Sequence, residues 1–157
     1  MLAVCAVLGA EAKPTVKTIA SPDGKLVVTV TVADDIRWSV EADGRTVLAP
    51  SQIAMQISDS ETWGEAPRLR KAVVGKIDET VEAPLYKKAE VEDKCTTLTL
   101  QFKGDYAVEF RAYDNAAAYR FVSTRKGDYT VKDEVVEFAF EGDNNVYLSL
   151  IPISEPT

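Results

Sequence analysis

From Thr15 onward, β-branched and aromatic residues alternate with polar ones in short runs, and each run is cut by a turn signal. Leu26 to Val32, LVVTVTV, is the clearest case. A period of two sets Val28, Val30 and Val32 on one face and Val27, Thr29 and Thr31 on the other, which suits a pleated strand. Ile36, Trp38 and Val40 alternate in the same way, so Trp38 is read as core. Further strands are predicted at Val16 to Ile19, Val47-Leu48, Ile53 to Ile57, Ala89 to Val91 and Thr97 to Phe102. The last three fall at Tyr106 to Tyr113, Ala117 to Thr124 and Val131 to Phe140. Turns are expected at Ser21-Pro22-Asp23-Gly24, Asp34-Asp35, Asp43-Gly44 and Glu92-Asp93-Lys94. Others follow at Lys103-Gly104-Asp105, Asp114-Asn115 and Lys126-Gly127-Asp128. Pro50-Ser51 is read as the opening of a new segment. Residues 60–88 read as an irregular loop over a sheet edge, with Val73-Val74 as one short strand. No long helix fits this text. The fold class is all-β, a sandwich or barrel.

A chain of 157 residues, 46% hydrophobic and 27% charged, is long enough for one domain with a real core. The net charge of −7 argues against a nucleic-acid partner, because phosphate contacts need a basic face. No run approaches the roughly 18 apolar residues of a membrane-spanning helix. The absence of histidine removes Ser-His-Asp catalysis and the usual zinc sites.

Residues 1–12, MLAVCAVLGAEA, have the apolar run and the small-x-small ending (Ala10-Glu11-Ala12) of a signal peptide that lacks its basic start. They are read as a leader cut before Lys13, which places the chain in the periplasm or outside the cell. Cys95 then remains alone, as a buried small hydrophobe. Residues 148–157, LSLIPISEPT, resemble with one change the translation of a transposase adapter and are read as a non-native tail. The domain proper is thus expected over residues 13–147.

The stretch YAVEFRAYDNAAAYRF, residues 106–121, reads as a hairpin folded about Asp114-Asn115. An even-numbered loop pairs Phe110 with Tyr119 and Glu109 with Arg120, with Arg111 diagonal to that pair. Val108, Phe110, Ala112, Ala117, Tyr119 and Phe121 then share a core face. Glu109, Arg111, Tyr113, Ala118 and Arg120 share a polar one. The arginines have two accounts: a cross-strand ion pair, which is favoured, or a guanidinium offered to a sugar or a neighbouring domain.

FRAYDNAAAYRF resembles the signature of the N-terminal domain of glycoside hydrolase family 97. SPDGKL at residues 21–26 and IRWSVEADGRTVLAPSQI at residues 36–53 resemble that family in the same order. The family usually has glycine where this chain has Ala116. The resemblance covers Thr15 to Tyr147. It implies a β-super-sandwich of the galactose-mutarotase-like kind, here incomplete, packed against a catalytic (β/α)8 barrel. It further implies an exported, calcium-dependent α-glucosidase or α-galactosidase acting on oligosaccharides. The catalytic carboxylates and most calcium ligands of that family lie downstream, so no catalytic or metal residue and no cofactor is assigned to this chain. Its expected partner is the missing C-terminal part of its own polypeptide, the barrel. Phe110, Arg111, Tyr113, Asp114, Tyr119, Arg120 and Phe121 are read as structural members of the signature. Uncovered strand edges and apolar faces are expected to make the isolated chain prone to aggregation or partly molten.

A glycosidase needs two carboxyl groups at a set separation, and 25 acidic residues supply pairs on paper without choosing one. Asp59, Glu61 and Gly64 echo a calcium loop, but Trp63 and Arg70 stand where ligands are needed. Asp143-Asn144-Asn145 is read as a turn. Trp38, Trp63, Tyr86 and Tyr106 are the aromatics available for stacking on a sugar, and Trp63 and Tyr86 are the weak candidates kept. The alternatives are a stand-alone secreted carbohydrate-binding module, which needs exposed aromatics, and an immunoglobulin-like module, which lacks its Cys-Trp-Cys framework here.

Overall fold

A computed structural model describes residues 13–84, 87–143 and 145. The expected leader at residues 1–12, Tyr86, Asn144 and the expected tail at residues 148–157 lie outside the described residues.

The alternation read in the sequence produces ten strands among the described residues, all paired antiparallel. They are β1 (Thr15–Ala20), β2 (Leu26–Val32), β3 (Ile36–Ala42), β4 (Arg45–Ser58) and β5 (Glu61–Trp63). The second half holds β6 (Leu69–Glu82), β7 (Glu90–Phe102), β8 (Tyr106–Ala112), β9 (Ala117–Ser123) and β10 (Asp133–Val136). One sheet runs β1-β2-β3-β4-β10, with β5 pairing along β4 beyond the end of β3. The other runs β6-β7-β8-β9. Their apolar faces meet in a sandwich core. Val28, Val30, Ile36 and Ile53 come from the first sheet and Leu98, Leu100, Val108 and Phe110 from the second, all fully buried. Each such side chain contributes about 1.5–3 kcal/mol of burial.

Turn chemistry sets the registers. Asp43 and Gly44 both take positive φ, 51° and 73°, the mirror-image turn that closes a two-residue hairpin between Ala42 and Arg45. The hairpin of β8 and β9 pairs Glu109 with Arg120 and Phe110 with Tyr119, as its constant-sum register predicts. Its four-residue turn closes with the Tyr113 amide donating to the Ala116 carbonyl at 2.8 Å, without glycine.

Four expectations are corrected. Pro50 does not open a new segment but lies inside β4. There the pairs Trp38↔Ser51 and Val40↔Leu48 leave an extra residue on β4, a bulge that absorbs the missing N–H. Residues 69–82 form one long edge strand rather than an irregular stretch with a short strand at Val73-Val74. Glu92-Asp93-Lys94 is no turn: it lies in β7, which runs unbroken from Glu90 to Phe102. β8 pairs only with the Thr96–Gln101 part of β7. Residues 77–82 and 90–95 therefore extend past the sheet as a two-stranded arm. Finally, only Asp133–Val136 of the expected strand at residues 131–140 joins the β4 ladder.

Candidate functional site

Three groups of side chains merit a functional reading: a polar network on the outer face of the second sheet, an aromatic column at one end, and an apolar cleft at the other.

The network grows from the odd-numbered positions of β7 and β8, which face away from the core. Arg111 donates from Nε to Glu109 Oε1 at 2.7 Å and from Nη1 to Asp93 Oδ2 at 3.0 Å. Tyr113 donates to Asp93 Oδ1 at 2.9 Å and accepts from Arg111 Nη1 at 3.2 Å. Arg120 Nη2 reaches Glu109 Oε2 at 3.1 Å. Glu109 is 15% exposed and Arg111 23%, whereas Arg120 is 61% exposed. Burial opposes ionisation of Glu109, but hydrogen bonds from Arg111 and Arg120 outweigh it and hold the carboxyl below its usual value of 4.5. A glycosidase acid needs the opposite shift. Two carboxylates face two guanidiniums, so the network is neutral and offers no charge to a ligand. The sequence reading supplied Glu109, Arg111 and Arg120 but missed Asp93, because its apparent turn hid a strand parity shared with Cys95, Thr97 and Thr99.

The aromatic column is built around Trp63. It lies on β5, is 2% exposed, and stacks on Tyr106 at 5.1 Å with an interplanar angle of 5°. Tyr106 stacks in turn on Phe102. The Arg125 guanidinium lies 5.7 Å from the Trp63 centroid and makes a two-pronged ion pair with Glu61. Glu61 also accepts from Trp63 Nε1 at 3.2 Å. The indole is a packing element over a sheet edge and has no free face for a sugar. Hydrogen bonds from Arg125 hold Glu61 below its usual range as well, against a smaller effect of burial. Tyr106 is likewise buried, and its hydroxyl accepts the Gly64 amide at 3.2 Å.

The signature residues divide between the two faces of the second sheet. Phe110 is fully buried, and Tyr119 and Phe121 pack against the core. Arg111, Tyr113 and Arg120 belong to the outer network. Asp114 stands apart at the β8–β9 turn, where its Oδ1 accepts the Asp23 amide at 2.9 Å. All seven have structural contacts.

The apolar cleft lies between the β3–β4 hairpin and the β8–β9 turn. Leu26, Trp38, Val40 and Leu48 form its floor, and Phe138 and Phe140 stand at its rim. Trp38 is 4% exposed, and its Nε1 finds no acceptor among the described residues. An unmade hydrogen bond of this kind costs about 1–3 kcal/mol.

No group of three or more His, Cys, Asp or Glu side chains converges among the described residues in a way that could hold a metal. No helix among them is long and apolar enough to cross a membrane.

Against this geometry, a family model described as "Glycosyl-hydrolase 97 N-terminal" matches residues 19–154. The chain belongs to this family. A retaining alpha-galactosidase of Bacteroides thetaiotaomicron is 39% identical over 126 residues, which is 80% of this chain and 19% of the relative. A family 97 enzyme from Pseudoalteromonas sp. strain K8, solved with acarbose, superposes with a TM-score of 0.68 at 19% identity, covering 80% of this chain and 20% of that one. A beta-arabinopyranosidase superposes at 0.69 with 27% identity over 79% of this chain and 21% of its own. The chain thus spans about a fifth of the length of the relatives it matches. It is a family 97 N-terminal β-sandwich, homologous to glycoside hydrolases of which the curated one is bacterial.

Proposed function

We propose that this chain is the non-catalytic N-terminal sandwich of an exported bacterial glycoside hydrolase of the α-galactosidase or α-glucosidase type. The remainder of the polypeptide carries the barrel, the catalytic carboxylates and the calcium. The chain reaches the periplasm or the medium through its leader at residues 1–12, and the substrate is an oligosaccharide. The observation that carries this reading is the 39% identity to an alpha-galactosidase over 80% of the chain. The state of the acids supports it: Glu109 and Glu61 are neutralised by arginines and held ionised, and neither is poised to protonate a leaving group. The burial of Trp38, Trp63 and Tyr106 weighs against a stand-alone sugar-binding module.

The mechanism left to this chain is positional. A rigid two-sheet body supports the barrel while the acid–base chemistry proceeds elsewhere. To test this, the natural polypeptide continuing past residue 147 is assayed on nitrophenyl α-galactoside and α-glucoside beside the 157-residue chain. Hydrolysis by the longer product alone is expected. Hydrolysis by the short chain, free of contaminating enzyme, overturns the reading.

A further inference from the structure

β6 ends the second sheet, and among the described residues no strand pairs along its outer edge. Its charges are sorted along its length. Arg70, Lys71 and Lys76 lie toward the start, and Asp78, Glu79 and Glu82 toward the end. The odd-numbered positions from 71 to 79 sit opposite odd-numbered positions of β7, so they share the face turned away from the core. Along that face the order is Lys71, Val73, Gly75, Ile77, Glu79: cation, apolar, glycine, apolar, anion. Val73 is 40% exposed, and Lys71 and Glu79 are exposed without an ion pair among the described residues. Within its own sheet Glu79 stands opposite Asp93, a like charge that Arg111 already occupies. Opposed carboxylates disfavour pairing, so Glu79 lacks a cation.

We propose that β6 is a homodimer interface: a second copy of this chain adds its own β6, antiparallel, about a two-fold axis through Gly75. Such an axis stands perpendicular to the sheet and keeps outer positions outer, so the contact is isologous. Lys71 then faces Glu79 of the partner subunit, and the pair recurs by symmetry. Val73 faces Ile77 of the partner subunit, again twice. Gly75 faces itself, with no side chain to collide at the axis. On the inner face Val74 meets Lys76 and Ala72 meets Asp78, so no like charges stand directly opposed. With the axis at Val74 or Lys76 instead, Lys71 meets Ile77 or Val81 and the Lys71–Glu79 pairs are lost, so the charges select one register. Edge charges ordinarily deter an added strand. Here they are sorted so that a copy of β6 itself satisfies them. The arm gains as well: a two-stranded ribbon is marginal alone, and the partner's β6 gives residues 77–79 a third strand. The proposal does not depend on the glycosidase reading.

Charge reversal tests it, read by sedimentation equilibrium on the natural polypeptide continuing past residue 147. Lys71→Glu and Glu79→Lys each turn two attractive pairs into repulsive ones and should weaken the dimer about 10-fold or more. The double variant restores both pairs and should return the dissociation constant to within about 3-fold of the parent. Within one chain the two positions lie about 26 Å apart along the strand, too far to compensate each other. Rescue therefore requires the second copy. Urea unfolding of each variant, with a midpoint near the parent's, shows that the fold is kept. A parent that stays monomeric at its highest soluble concentration overturns the proposal, as when the rest of the polypeptide covers β6. A dimer indifferent to all three variants places the contact elsewhere and also overturns it. So does a double variant as weak as the singles. Each of these results leaves the functional reading untouched, because hydrolysis is measured separately.

Discussion

Asp23 and Asp114 are ninety-one residues apart in sequence, and the backbone amide of the first donates to the side chain of the second at 2.9 Å. This bond joins the β1–β2 turn of one sheet to the β8–β9 turn of the other. The Asp23 carboxylate faces inward to its own turn, accepting from Ser21 Oγ at 2.7 Å and from the Lys25 amide at 3.0 Å. The aspartate of the family signature therefore acts as a clasp between layers.

Asp114→Ala should lower the melting temperature by about 2 °C, since an exposed hydrogen bond contributes modestly in a domain of this size. Asp114→Asn keeps an acceptor at the same place and should melt within error of the parent. Differential scanning fluorimetry reads both, and equal losses in the two variants would show that charge rather than the clasp matters.

Arg111 and Arg120 share Glu109 yet differ in exposure. Arg111→Ala strands two largely covered carboxylates and should cost about 2 kcal/mol. Arg120→Ala removes a mostly solvated partner and should cost under about 1 kcal/mol. Urea unfolding measures the difference, and a reversed order contradicts the network as described.

The titrations have opposite signs. Glu109 and Glu61 are held below the ordinary glutamate value of 4.5, so their contribution is present above that pH and is lost as pH falls beneath it. Tyr119 is pushed up to about 12 by burial and then by Glu134, so its contribution is full below pH 10 and is lost between 10 and 12. Unfolding free energy measured against pH should fall at both ends. Glu109→Gln should flatten the acid limb, and Tyr119→Phe the alkaline one.

Two glycines separate strain from space. A Cβ on Gly64, at φ +99°, would lie 2.7 Å from Ile53 O, so Gly64→Ala should cost about 3 kcal/mol or more. Gly24, at φ +77°, has nothing within 4 Å, so Gly24→Ala should cost about 1 kcal/mol from conformation alone. Chemical denaturation of the two variants tests the ratio.

The parts legible in the sequence were those with one wet face and one dry face. β2, β3 and the β8–β9 hairpin show alternation because their inner positions must be apolar, and one parity then fixes every pairing. β6 gave no such signal. At the edge it carries Arg70, Lys71, Lys76 and Asp78, which discourage further pairing, and only a few of its residues are half-buried. Glu92, Asp93 and Lys94 looked like a turn because three charged residues in a row show no apolar alternation, even though Asp93 is covered by Arg111 and Tyr113. Trp63 was misread as a loop aromatic because its partners Tyr106 and Arg125 are far away in sequence. The cleft around Trp38 was foreshadowed only as uncovered apolar surface, since a missing acceptor leaves no trace in one chain's text.

The arm formed by residues 77–82 and 90–95 joins two pieces that share both layers of the molecule. The first sheet is completed by β10 against β4, and the second by β6 against β7, so each piece lends a strand to the sheet dominated by the other. A protease that nicks the tip between Glu82 and Glu90 should leave two polypeptides interlocked by those ladders. They would co-elute as one particle and come apart only in denaturant, a split pair whose reassembly reports on folding.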